Sequence, residues 1–221
     1  MNDSERPRWD DTFLNIAREI ARRSKDPSTK VGCVIVGPDN EVRSVGYNCF
    51  PRGIRDSESR LNDRREKLLF VEHSERNAVY NAARAGISLK GCRIYLPWLP
   101  CSDCARAIIQ SGIVEVVTDN PNVPARWRRD FAVSLTMLHE AGVLIRRPGG
   151  RPVNICAVMG RAWVGKTIKT RDGEKRTIKY VYFNASGEII VSFKEVALLE
   201  TARSFADVER RIVEPEAAIV P

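Results

Sequence analysis

Residues 92–118 read CRIYLPWLPCSDCARAIIQSGIVEVVT, and this stretch decides the fold class. The apolar run over 92–96 is stopped by turn signals at Pro97 and Pro100, so it reads as a buried strand. The spacing then predicts a helix over 102–110 and a second buried strand over 113–118. Elements that alternate in this way imply a mainly parallel or mixed sheet covered by helices, an α/β fold.

Working upstream, Ser74 opens a predicted helix over 74–85 that Gly86 ends. Before it, residues 48–67 are rich in Arg, Gly, Pro, Ser and Asp and read as one long loop, a kind of segment that often carries function. Two β-branched runs, 31–36 and 41–47, flank the turn residues Gly37, Pro38, Asp39 and Asn40 and predict a hairpin. Phe13, Leu14, Ile16, Ala17 and Ile20 recur at helical spacing, with Asp10 and Asp11 as capping candidates and an end near Asp26-Pro27.

Downstream, a helix over 128–140 and a short strand over 143–145 complete the pattern, and the Pro-Gly-rich run 148–152 reads as a boundary. Strands are then expected over 153–159, 166–170, 177–183 and 189–193, with turns at Asp172-Gly173 and Ser186-Gly187. A final helix is expected over 194–213 from the spacing of Val196, Leu199, Ala202, Phe205 and Val208. The expected organisation is a domain over 1–147 and a small β-rich appendage with a C-terminal helix over 152–221.

The 221 residues are 43% hydrophobic and 29% charged, which argues against disorder, collagen-like repeats or a coiled coil as the main state. The net charge of +8 makes a phosphate-bearing partner worth considering without specifying one. The first nine residues lack the apolar run of a secretory signal, and no stretch approaches the ~18 apolar residues of a membrane span. A soluble cytoplasmic protein is therefore expected, with its six cysteines reduced. In that setting a close cysteine cluster is explained by metal binding or catalysis, and Cys101 with Cys104 is such a cluster.

His73-Ser74-Glu75 upstream of Pro100-Cys101-Ser102-Asp103-Cys104 matches the H-x-E with P-C-x-x-C signature of zinc deaminases. One imidazole and two thiolates supply three ligands to a tetrahedral zinc and leave a fourth position open, the mark of a catalytic rather than a structural site. Cys101 and Cys104 begin a predicted helix, whose N-terminus favours thiolates. Glu75 follows His73 by two residues and is the expected proton shuttle. His139, the other histidine, falls inside a predicted amphipathic helix and reads as structural.

Several separated motifs extend this reading: Arg23 to Gly32 (RSKDPSTKVG), Gly46 to Gly53 (GYNCFPRG), His73 to Ala78 (HSERNA) and Cys101 to Gln110. Together they make residues 13–142 resemble the deoxycytidylate (dCMP) deaminase family of the cytidine deaminase-like superfamily. The resemblance implies a three-layer α-β-α fold with a mixed central sheet and hydrolysis of dCMP to dUMP and ammonia. It also implies zinc held by His73, Cys101 and Cys104, Glu75 as general acid and base, and a homo-oligomer. By the same resemblance Asn48 contacts the sugar or base, the Ser74 backbone N–H holds the pyrimidine carbonyl, and Ser28 and Lys30 lie near the nucleotide's phosphate. Ser74 stands where family members usually have Ala, Cys49 where they have Gly, and Pro97-Trp98-Leu99 replaces a milder segment, so the pocket walls are expected to differ.

Two alternatives stay open: a deaminase acting on another base or on single-stranded nucleic acid, and a zinc-stabilised binding module without turnover. Arg52, Arg55, Arg60, Arg64, Arg65 and Lys67 could grip phosphate, but Asp56, Glu58, Asp63 and Glu66 dilute the patch, so nucleic acid is not demanded. The run 126–129 (RWRR) mixes an aromatic with positive charge in the same ambiguous way. Residues 160–167 (GRAWVGKT) fit the phosphate-loop pattern letter for letter, yet a phosphate loop needs a helix directly after its Lys-Thr pair, and 168–179 is β-branched. A chance match is the better reading.

Overall fold

The computed structural model describes residues 6–120, 127–151, 153, 167–183, 189–193 and 199–202. The chain runs through α1 (Trp9–Ala21), β1 (Gly32–Val36), β2 (Val42–Tyr47), α2 (Glu58–Asn62), α3 (Arg64–Phe70) and α4 (Ser74–Ala85). It continues through β3 (Arg93–Trp98), α5 (Ser102–Gln110), β4 (Glu115–Asn120), α6 (Arg128–Glu140) and β5 (Leu144–Arg146). The five strands form one mixed sheet in the order β2-β1-β3-β4-β5. β1 is antiparallel to β2 and β3, while β3, β4 and β5 are parallel.

Strand side chains alternate between faces, and that alternation sorts the core into two layers. Val34, Val36, Tyr95 and Val117 pack on Phe13, Leu14 and Ala17 of α1. Their neighbours Cys33, Ile35, Ile94, Leu96 and Val116 join Ala78, Ala82, Ala105, Ile108, Leu135 and Leu138 of α4, α5 and α6. Helices thus cover both faces, and the expected three-layer α/β fold is what the chain adopts.

The sheet's β2 edge is partly covered by α4. Asn77 and Asn81, one turn apart, donate to the carbonyls of Tyr47 at 2.9 Å and Val45 at 2.8 Å, which satisfies edge groups that would otherwise be open to another strand. The close approach requires Gly46: a Cβ there would sit 2.2 Å from the carbonyl oxygen of Ser74.

Several expectations differ from the structure: α1 ends at Ala21 rather than near Asp26-Pro27, and β3 runs through Pro97 to Trp98. Residues 48–67 are not one loop but hold α2 and the start of α3, because Ser57 caps one helix through Arg60 N and Asp63 caps the next through Arg65 N and Glu66 N. Asp10 and Asp11 lie inside the first turn of α1 rather than capping it. Asp10 instead pairs with Arg146 of β5, which also meets Glu115 of β4. Finally, the helix expected over 194–213 is replaced at Leu199–Ala202 by a strand, β9, which pairs antiparallel with β8 (Ile189–Phe193). An available sheet edge overrides helical spacing there; the rest of that segment lies outside the described residues.

Before these, β6 (Thr167–Lys169) and β7 (Lys175–Phe183) form an antiparallel pair, so a second sheet runs β6-β7-β8-β9. Thr167 therefore opens a strand where a phosphate loop would need a helix; residues 160–166 lie outside the described ones, as does nearly all of the strand expected over 153–159. Val153, Ile168 and Ile178 are fully buried in the same apolar cluster as α5 and α6. Among the described residues no helix is long and apolar enough to cross a membrane.

Candidate metal and catalytic centre

The ends of two helices make the site. His73 occupies the N-cap position of α4 and Cys101 that of α5, while Glu75 and Cys104 lie in the first turns. First-turn N–H groups lack intrahelical partners and present positive potential, which favours a carboxylate and thiolates. The turn from the end of β3 into α5 places this cluster at the carboxyl ends of the parallel strands, where α/β sheets bind ligands.

Among the described residues His73, Cys101 and Cys104 form a group whose donor atoms all lie within 4.8 Å of one another. His73 Nδ1 is 3.4 Å from the Cys101 sulfur and 3.5 Å from that of Cys104. Tetrahedral zinc with bonds of about 2.0 Å to nitrogen and 2.3 Å to sulfur would hold such atoms about 3.5 Å apart. The donor set and its spacing therefore fit zinc. All five described cysteines are free of disulfides.

Hydrogen bonding and burial push the three donor groups in different directions. Cys104 shares its proton with the Cys101 sulfur, which with the neighbouring His73 brings Cys101 down to about 4. That same bond and burial push Cys104 well up. The hydrogen bond to Cys101 outweighs burial and raises His73 to about 9. To hold zinc, His73 would be neutral and Cys101 and Cys104 thiolates.

Glu75 is 5% exposed, and burial pushes its carboxyl above the usual range while the nearby His73 charge pulls against that rise. Ser74 Oγ donates to Glu75 Oε2 at 2.8 Å. From the other side, the Cys33 thiol of β1 donates to the Ser74 carbonyl at 3.2 Å and holds the first turn of α4 on the sheet.

Charged side chains tie the two helix N-termini together. Arg76 of α4 bonds Glu72, just before that helix, and reaches Asp103 of α5 at 3.5 Å. Asp130 of α6 accepts from the Ser102 backbone at 3.1 Å and from its hydroxyl, and Ser134 Oγ donates to the Pro100 carbonyl at 2.7 Å. Sequence reading missed Arg76, Asp103 and Asp130; the Glu72/Arg76 spacing of four was the one visible signal.

Asn48, Ser28 and Lys30, the remaining expected site residues, are not part of this cluster. Asn48 is buried, and its amide accepts from Val31 N at 2.8 Å and donates to the Thr29 carbonyl at 2.9 Å. Ser28 Oγ accepts from Lys67 Nζ at 3.2 Å. Lys30 is exposed and makes no side-chain hydrogen bond among the described residues. A small pocket lies among Lys25, Asp26, Asn48, Cys49, Asp56 and Lys67, sharing Asn48 with the expected set but none of His73, Glu75, Cys101 or Cys104. Of the loop cations, Arg60 stacks 4.4 Å from the Phe70 ring, Arg52 bonds Asn81, and Lys67 is buried against Asp26. His139 lies in the last turn of α6, outside the cluster.

Known proteins place these observations. A family model, the cytidine and deoxycytidylate deaminase zinc-binding region, matches residues 7–119. A "Probable deoxycytidylate deaminase" of Drosophila melanogaster is 39% identical over 155 residues, covering 63% of this chain and 71% of that one. The deoxycytidylate deaminase of Mus musculus is 40% identical over 117 residues, 49% of this chain and 63% of the mouse protein. The crystal structure of dCMP deaminase from the cyanophage S-TIM5, in complex with dCMP and dUMP, superposes with a TM-score of 0.52 at 24% identity, covering 64% of this chain and 98% of that one, which shows the shared fold. The matched region contains His73, Glu75, Cys101 and Cys104, and the chain belongs to the zinc-binding cytidine and deoxycytidylate deaminase family.

Proposed function

We propose that this chain hydrolyses dCMP to dUMP and ammonia. The observation that carries the reading is a buried carboxylate, Glu75, beside a three-donor cluster of His73, Cys101 and Cys104. A structural metal site needs no such acid, which disfavours the non-catalytic module. The substrate follows from the deoxycytidylate deaminases among the relatives.

In this reading His73, Cys101 and Cys104 hold zinc, which when bound supplies a Lewis acid able to make water nucleophilic near neutral pH. Glu75 accepts the proton of the attacking water and passes protons to ring N3 and then to the exocyclic nitrogen. The C–O bond forms at C4 first, as the C4=N3 electron pair moves to N3 and takes a proton. The C4–N bond breaks in a second step, once the exocyclic nitrogen is protonated, and ammonia leaves as the C4 carbonyl forms. Buried beside the three-donor cluster, the Glu75 carboxylate is placed where one group can serve both duties.

The Ser74 backbone N–H, on the free end of α4, holds the pyrimidine carbonyl oxygen. Asn48, Ser28 and Lys30 serve the sugar and phosphate side, Asn48 with the amide hydrogen left over from its bond to Thr29. Residues 1–147 form the catalytic domain and 152–221 a smaller β-rich unit. The protein works in the cytoplasm as a homo-oligomer, which light scattering of the purified chain would test.

A screen of free bases, nucleosides, mono- and triphosphates and short oligonucleotides, with zinc quantified in the same preparation, tests the reading. Turnover of dCMP supports it; deamination of single strands alone, with steep salt dependence, would replace it.

A further inference from the structure

Ten residues separate α1 from β1, and none of them is in a helix or strand that could hold them. Four carry the motif Asp26-Pro27-Ser28-Thr29, followed by Lys30. The stretch is nonetheless fastened from two sides. From the end of β2, Asn48 bonds Thr29 and Val31, and its carbonyl accepts from Ser24 Oγ at 2.8 Å. From α3, Lys67 reaches across 41 residues of sequence to Asp26 Oδ1 at 2.9 Å and to Ser28 Oγ at 3.2 Å.

Asp26 is the hub of this arrangement. Its Oδ1 also accepts from Ser28 N at 2.8 Å and Thr29 N at 3.0 Å, which curls the chain around the carboxylate. Both partners are buried, Asp26 at 8% and Lys67 at 7% exposure. An ammonium kept that far from water requires its counter-charge, so the pair has few alternative arrangements. Lys67 is the one strongly buried residue of α3, whose other residues face outward or are half covered. The helix is thus held by one cationic contact with the α1–β1 segment rather than by an apolar stripe.

We infer that Lys67 is a positioning residue for the substrate site: through Asp26 and Ser28 it fixes residues 26–31 in the shape that receives the nucleotide. This rests on the deamination reading above, because the segment matters only if Ser28 and Lys30 face the substrate. A contact that holds the segment before substrate arrives aids ground state and transition state alike, so its loss raises KM and leaves kcat nearly untouched. A purely structural role would instead lower the amount of folded, zinc-loaded protein without splitting the two constants.

The test compares the wild-type zinc enzyme with Lys67→Met and with the double variant Asp26→Asn/Lys67→Met. The double variant buries no unpaired charge and keeps an oxygen for the Ser28 and Thr29 amides, so it stays folded where the single variant fails. In whichever variants fold, KM for dCMP rises at least about tenfold, kcat stays within about threefold and zinc per chain is unchanged. Amide hydrogen exchange over residues 26–31 quickens in the same proteins. Lys67→Arg, which keeps the charge, recovers part of the KM. An unchanged KM in the double variant, or a fall in kcat equal to the fall in kcat/KM, overturns the assignment. Wild-type enzyme that ignores dCMP would fail the deamination reading instead, and the two failures are separate measurements.

Discussion

Ser74 Oγ lies 2.8 Å from Glu75 Oε2 and donates to it, one neighbour holding the other's carboxylate in the first turn of α4. The bond leaves Oε1 for other work and limits the rotamers of a buried side chain. A hydrogen bond to a charged group contributes roughly 1.5–3 kcal/mol at most, while the Ser74 backbone N–H survives any change of side chain. Ser74→Ala is therefore expected to lower kcat for dCMP by about three- to tenfold with zinc content unchanged. Steady-state kinetics with metal analysis checks this; a loss beyond about a hundredfold would mean that the hydroxyl takes part in the reaction.

Metal removal gives the second prediction. With three protein ligands, loss of one thiolate leaves too few strong donors for tight zinc binding. Cys101→Ser should purify with little zinc and negligible turnover, and wild-type protein dialysed against a chelator should regain activity when zinc is returned. Unchanged zinc in Cys101→Ser would remove that residue from the ligand set.

The glycine beneath α4 links fold to site. Alanine at position 46 would place its Cβ 2.2 Å from Ser74 O and 2.5 Å from Ala78 N, both backbone atoms that cannot swing aside. The helix would have to lift off β2, carrying Glu75 with it. Gly46→Ala should cost about 3 kcal/mol in chemical denaturation and reduce activity in the protein that still folds. Wild-type stability in this variant would contradict the packing described.

On the other face, burial tends to raise the Asp10 carboxyl, but Arg146, the Gly149 N–H and Tyr95 together hold it below the usual range. A carboxyl depressed in the folded state stabilises the protein above its unfolded pKa of about 3.9, and the contribution fades as pH falls through the folded value. Asp10→Asn should cost about 2 kcal/mol at pH 7. The gap between variant and wild type should narrow as denaturation curves are repeated toward pH 3. A gap that widens with acid would show that Asp10 is not the depressed group.

The sequence made most of the central fold legible, and the reasons are local. Ser74, Ser102 and Gly86 mark helix ends that backbone hydrogen bonding alone dictates, so the bounds of α4 and α5 fall where the pattern puts them. His73 and Cys101 could be brought together in advance because both begin helices on neighbouring elements. The helices after β2 were hidden by their shortness and their run of charged residues, although Asp63 with Glu66 three residues on is a capping pattern. What Asn48, Lys67 and Asp10 do was not legible, since each is decided by a partner 19, 41 or 136 residues away. Near the C-terminus, Leu199 and Ala202 keep helical spacing but meet the open edge of β8, and pairing wins.

The most direct measurement follows dCMP, dUMP and ammonia by chromatography and enzymatic assay for zinc-loaded wild type and Glu75→Gln side by side. The account predicts equimolar dUMP and ammonia from the wild type, and a variant that retains its zinc but shows no turnover. Zinc-loaded wild type that leaves dCMP untouched, or a Gln variant as active as its parent, would contradict it.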